Sequence, residues 1–192
     1  MKSWHGARAR HGAALAGFTR TAHGVPEAAW QLPTPCTAWN AQQLVEHVIG
    51  FHEFLLLRPL GVRAHRPRVG PLERWLATEG AIRLLLDEPG ALDADVPYFD
   101  GEARRPADVL DALADDVLVH TWDLARAARL PDRLDPDACA VALAHAQRDG
   151  RPGNDLFGSP VEVPDEAPTQ DRLLGLLGRD PRWPVPPGGP VA

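Results

Sequence analysis

The sequence is poor in the features that mark disulfide scaffolds, membrane proteins and nucleic-acid binders. It has two cysteines, Cys36 and Cys139, too few and too far apart for a zinc knuckle or a disulfide framework. A reducing compartment is therefore expected, with both thiols buried and inert. No stretch approaches the ~18 apolar residues of a membrane span. Lys2, Arg8 and Arg10 near the start are followed by no apolar run that could act as a signal core, so the expectation is a cytoplasmic protein. Positive charge is also in deficit: 20 Lys and Arg stand against 26 Asp and Glu, a net charge of −6. Such a balance repels a phosphate backbone, and neither nucleic acid nor membrane is expected as a partner. What remains is a chain of 192 residues, enough for one ordinary core and a small appendage. The expected division is a helical domain over 1–150 and a Pro/Gly-rich extension over 151–192.

Helical periodicity is the strongest signal present. Residues 8–24 are Ala-rich, with Leu15 and Phe18 on adjacent faces, and predict a first helix. Pro33 and Pro35 close the connector before a second helix, for which Asn40 is a suitable cap and Gln43, three residues on, completes a capping-box spacing. Leu44, Val48, Phe51 and Leu55 then mark one apolar face, on which His47 also falls. Pro59 and Gly61 stop this helix. After a basic linker from Arg63 to Arg68, Leu72, Trp75, Leu76, Ile82 and Leu86 predict a third helix over about 71–87. Residues 88–105 read as a loop long enough to border a site. Pro106 and Asp108 suit the first turn of a fourth helix, and Val109, Leu110, Leu113, Val117 and Leu124 carry it for about 23 residues. Shorter helices are expected at about 137–148 and 170–177. No repeat and no strand pair is evident, although Val161 and Val163 suit a brief extended piece. The fold class is all-α.

Asp116 and His120 are four apart on the fourth helix, so they project from one face one turn apart. A carboxylate turned toward Leu113 and Val117 is costly unless paired or bound to a cation, and an imidazole beside it is a ligand that zinc favours. His47 is the other histidine on an apolar stripe, and antiparallel packing of helices two and four would bring it level with His120. Three protein ligands with an open position describe a catalytic metal site. Each residue also has a plainer reading: Asp-x3-His pairs are common in solvated or capping roles, and a lone histidine on an apolar face is often a core residue. His52 and Glu53 are expected at the surface. Asp123 suits either an outer partner of His120 or a solvated carboxylate. His5, His11, His23, His65 and His145 have no partner at ligand spacing, and Trp39 and Trp122 read as core.

Four segments carry a family resemblance. They are Leu32-Pro33-Thr34-Pro35-Cys36-Thr37-Ala38-Trp39, Leu44-Val45-Glu46-His47, Asp116-Val117-Leu118-Val119-His120-Thr121-Trp122-Asp123-Leu124-Ala125, and Leu173-Leu174-Gly175-Leu176-Leu177-Gly178-Arg179-Asp180-Pro181. Together they resemble actinobacterial proteins of the DinB-like superfamily, whose metal-binding domain is named for mycothiol-dependent maleylpyruvate isomerase, and within it a short single-domain subgroup. The resemblance implies an up-down-down-up four-helix bundle in which His47 and His120 match the first and last family histidines. The carboxylate between them is Glu in the isomerase, where this chain has Asp116. The isomerase's larger C-terminal domain has no counterpart expected here, so maleylpyruvate isomerisation is not carried over.

The function expected from these readings is that of a small metalloprotein holding one divalent ion, Zn or else Ni or Fe, through His47, Asp116 and His120. The resemblance adds mycothiol as a possible thiol cosubstrate in a transfer or isomerisation on a small electrophile. No catalytic residue is assigned beyond the ligands. Two other classes stay open: a non-catalytic binding module, and a metal-independent cyclase, isomerase or hydrolase using His47 or Asp116 for proton transfer. A small-molecule partner and a monomer or homodimer complete the expectation.

Overall fold

A computed structural model describes residues 4–65, 67–98, 100–148 and 158–185. Among these the protein is built from six α-helices and one two-stranded hairpin, an all-α helical bundle. The chain divides into two compact units, one formed by 1–24 and 42–120 and the other by 25–41 and 121–192.

The first unit contains α1 (Trp4–Gly24), all but the first residue of α2 (Ala41–His52), α3 (Pro71–Asp87) and the N-terminal two-thirds of α4 (Pro106–Ala128). Helix α1 starts four residues before the expected position 8. Ala7, His11, Leu15, Phe18 and Ala22 form its buried stripe at spacings of four, four, three and four, a register that small neighbouring residues leave undisturbed. The Trp75 ring of α3 is fully buried. It meets Phe18 edge to face at 4.8 Å and donates its indole N–H to the Thr19 hydroxyl at 2.8 Å, so its one polar atom is satisfied inside the core. Pro71 opens α3 at a position where no intrahelical N–H is needed.

Helix α2 does not end at His52. It widens into a π-helical segment over Glu53–Leu57, then closes near Gly61, whose φ of 77° favours glycine. Leu55, Leu56 and Leu57 are all fully buried, so this stretch is embedded on every side. The loop over 88–105 holds a small antiparallel hairpin, β1 (Val96–Pro97) paired with β2 (Ala103–Arg104). The expectation that no strands pair is corrected here. With two residues per strand, the hairpin is too short to leave an alternating pattern in the sequence.

The second unit holds the 3₁₀ turn Glu27–Ala29, the end of α4, α5 (Pro136–Arg148) and α6 (Thr169–Leu176). The Pro-rich connector is tied by the Thr34 hydroxyl, which lies 2.9 and 2.8 Å from the carbonyls of Cys36 and Trp39, and by Ala41 N–H donating to Leu32. Helix α6 packs on α5. Its end explains Gly178: the N–H of Gly178 reaches Gly175 and that of Arg179 reaches Leu174, a Schellman closure with Gly178 at φ 78°. At Gly175 a Cβ would lie 2.4 Å from the Val163 side chain, so the backbone over Val161–Val163 packs where only glycine leaves room. Val161 N–H donates to the Gly175 carbonyl, consistent with a brief extended piece there. Cys139 is fully buried, and burial first, then Asp135, pushes its thiol up to about 11. The Gly/Pro-rich run over 149–157 and the last residues of the tail lie outside the described residues.

Candidate metal centre

Three of the sequence candidates come together in the first unit. One donor atom each from His47, Asp116 and His120 lies within 4.8 Å of the others. His47 projects from the middle of α2, while Asp116 and His120 stand one turn apart on α4, as their spacing requires. Both imidazole Nε2 atoms face the same carboxylate oxygen, Asp116 Oδ1, at 3.6 Å for His47 and 3.5 Å for His120. The two rings meet edge to face with centroids 5.0 Å apart, and His47 is stacked on Phe51 one turn further along α2. The His47 side chain is 26% exposed, against 9% for Asp116 and 4% for His120, so the group opens outward on its His47 side.

The distances decide between two descriptions of this group. At 3.5–3.6 Å the N···O separations are long for hydrogen bonds, which for a charged pair sit nearer 2.7–2.9 Å. These two separations fit the edge of a tetrahedron around an ion with bonds of about 2.0–2.2 Å, which is roughly 3.3–3.6 Å, while the three donors together lie within 4.8 Å. The second carboxylate oxygen supports the same description, since Asp116 Oδ2 is buried and has no hydrogen-bond partner. A buried carboxylate oxygen without a donor is costly, and a cation offsets that cost. Burial pushes the Asp116 carboxyl up, but the His120 and His47 imidazoles outweigh it and hold the group well below the usual carboxylate range. The group is thus a pocket lined by two imidazole nitrogens and one carboxylate. The residues present fit a divalent ion with at least one coordination position left over.

Other candidates fall elsewhere. His52 and Glu53, expected at the surface, are buried at 0% and 3% exposure. His52 Nδ1–H donates to the Val48 carbonyl at 2.7 Å, and its Nε2 lies 3.0 Å from His11 Nε2, so His52 accepts from His11. His11, expected to stand alone, is fully buried in this pair, and its Nδ1 has no partner. Burial lowers the pKa of both imidazoles. Each also lies near other charge: His11 is lowered by His52, while His52 feels a backbone hydrogen bond, Asp116 and His47. The pair therefore belongs to the electrostatic surroundings of the metal group. Asp123, read as solvated or as a partner of His120, is 0% exposed in the second unit and paired with Arg179: Oδ2 with Nη2 at 3.0 Å and Oδ1 with Nε at 3.5 Å. These contacts lie 41 and 56 residues apart, a separation at which helical spacing carries no signal. Trp122 is buried and Trp39 half-buried, and Cys36 is half-buried on the connector.

A His/Asp/His group able to hold one metal ion on two helices of an all-α bundle defines a class of metal-binding helical proteins. Residues 11–75, which include His47, match the family described as mycothiol maleylpyruvate isomerase N-terminal domain. Two Mycobacterium tuberculosis proteins, "Uncharacterized protein Rv0738" from strain H37Rv and "Uncharacterized protein MT0763" from strain CDC 1551, are each 32% identical over 167 residues, covering 78% of this chain and 85% of their own length. The chain belongs to this mycothiol-related, metal-binding DinB-like family. No solved structure matches it. Among the described residues no helix is long and apolar enough to cross a membrane.

Proposed function

We propose that the protein is a small cytoplasmic metalloenzyme that holds one divalent ion, most simply Zn²⁺, through His47, Asp116 and His120, and that it promotes thiol-dependent transfer or isomerisation on a small electrophilic metabolite. The observation that carries the reading is the buried Asp116 Oδ2 without a donor, set beside two imidazole nitrogens at coordination-edge distances from Oδ1. When bound, a divalent cation supplies Lewis acidity, favouring the ionised form of a thiol or water presented to it.

The chain's own residues do the rest. Asp116 supplies the negative charge that balances the cation. The stack on Phe51 holds the His47 ring in place at the exposed edge, so incoming molecules approach past His47. Leu113 and Val117, fully buried beside Asp116, keep the inner side dry and so strengthen electrostatic interactions within the group. A low-molecular-weight thiol of the mycothiol type is the cosubstrate that family membership favours.

Thiol dependence is testable with N-acetylcysteine and a fluorogenic bimane electrophile. Zinc-loaded protein should accelerate thioether formation over the uncatalysed rate, saturably in thiol, and the His47→Ala protein should not. Equal rates with loaded protein, stripped protein and buffer across a panel of thiols and electrophiles would overturn the catalytic part of the reading.

A further inference from the structure

The π-helical segment that follows α2 builds a second polar feature in the first unit. In a π turn the backbone bond runs from residue i+5 to i, and here Arg58 N–H donates to the Glu53 carbonyl at 3.0 Å. That register returns the side chain of residue 58 over residue 53. The Arg58 guanidinium reaches Glu53 Oε2 at 3.1 Å, although the glutamate side chain is only 4% exposed and the arginine 60%. An ordinary α-helical turn would set positions 53 and 58 on different faces, so the pairing is a product of the π register. π segments inside helices recur at functional sites.

Next to this pair lies a half-open cavity of about 240 Å³ lined by Glu53, Arg58, Arg63 and Ala64. Arg63, an exposed residue of the cavity lining, makes no ion pair with a carboxylate among the described residues. Among the described residues the lining holds one acid and two arginines. The Glu53 carboxylate in the wall holds Arg58 in place and disfavours a second negative charge on any occupant. The volume is below the usual range of drug-sized sites, which suits a small molecule. A planar carboxylate matches the fork of a guanidinium, and a charge-assisted pair in a partly desolvated cavity is among the stronger polar contacts.

We propose that this cavity is a binding site for a small monocarboxylate, taken up by Arg63 with Arg58 held beside it by Glu53, and separate from the His47–Asp116–His120 group. The proposal does not depend on metal binding.

The test is titration of the full-length protein with benzoate and with its neutral counterpart benzamide, followed by calorimetry and by the NMR signal of the arginine Nε–H groups. Wild-type protein should bind benzoate at least about tenfold more tightly than benzamide, with one arginine Nε–H signal shifted. The Arg63→Gln protein, changed only at an exposed loop residue, should lose both the preference and the shifted signal. The benzoate preference should survive excess EDTA, which separates this cavity from coordination at the metal group. Equal binding of benzoate and benzamide, a preference that persists in Arg63→Gln, or one abolished by EDTA would each overturn the proposal.

Discussion

Asp116 and Asp123 stand seven residues apart on α4, and both carry a carboxylate into the protein interior. The chain completes Asp123 itself: both oxygens face the Arg179 guanidinium, whose Nη1 also donates to the Leu177 carbonyl at 2.8 Å. Asp116 is left incomplete. One of its oxygens is shared between two imidazoles at distances too long for strong hydrogen bonds, and the other has no donor. A buried charge matched by a buried counter-charge marks a structural clasp. One with an unfilled coordination shape beside histidines marks a place for a ligand.

The largest effect should come from breaking the completed pair. Arg179→Ala strands a buried carboxylate, and equilibrium urea unfolding should show a loss of about 3–5 kcal/mol. Replacing both partners, as Asp123→Leu with Arg179→Met, should recover most of that loss, because the cost lies in the unpaired charge more than in the missing bridge. A single Arg179→Ala change that leaves the unfolding midpoint in place would show that Asp123 is not held in this way.

The incomplete carboxylate should respond to ligand instead. Zinc at a hundred times its dissociation constant should stabilise wild-type protein by about 2.7 kcal/mol in the same unfolding experiment. Asp116→Asn should remove that increment, and it should also lower metal-free stability at neutral pH, because the interactions with His120 and His47 that favour the ionised carboxylate are lost. Equal zinc stabilisation in both proteins would place the ion elsewhere.

A smaller, pH-dependent effect belongs to His11 and His52. Both imidazoles have folded-state pKa values below the ordinary 6.5, so as pH falls the unfolded chain takes up protons first. Their contribution to stability is present in full above about pH 6.5 and declines below it, by up to about 1.4 kcal/mol per pH unit for each histidine. Asp116 acts in a different window, because a depressed carboxyl pKa loses its contribution only as pH falls below the ordinary carboxyl range near 3.8. His11→Phe should flatten the decline between pH 6.5 and 5.5, and a slope identical to wild type would place the titrating groups elsewhere.

The helices were readable from the sequence because their signals are local. Pro71 and Pro106 mark starts, Leu113 and Val117 keep period, and α3 and α4 fall where the apolar stripes put them. The meeting of His47, Asp116 and His120 was also accessible, since a four-residue spacing fixes two of them on one face and an apolar stripe singles out the third. His11 with His52 and Asp123 with Arg179 were not accessible, because each joins segments far apart in sequence. Glu53 was misjudged for a subtler reason. Its charge argued for the surface, yet it stands four and eight residues after buried Ile49 and Val45 on the same helical face, and the π register beyond it brings Arg58 beside it. The run Leu55-Leu56-Leu57 was the one local hint that this stretch is enclosed on all sides.

The central claim is that the incomplete carboxylate and its two histidines hold a metal, and metal stoichiometry tests it most directly. Untagged wild-type protein, dialysed briefly against a weak chelator, would be compared by elemental mass spectrometry with His120→Ala and, as a control on a half-buried helical histidine, His145→Ala. The account predicts close to one equivalent of zinc, nickel or iron in wild type and in His145→Ala, and none in His120→Ala. A full equivalent retained by His120→Ala, or no metal in wild type even after reconstitution, would contradict it.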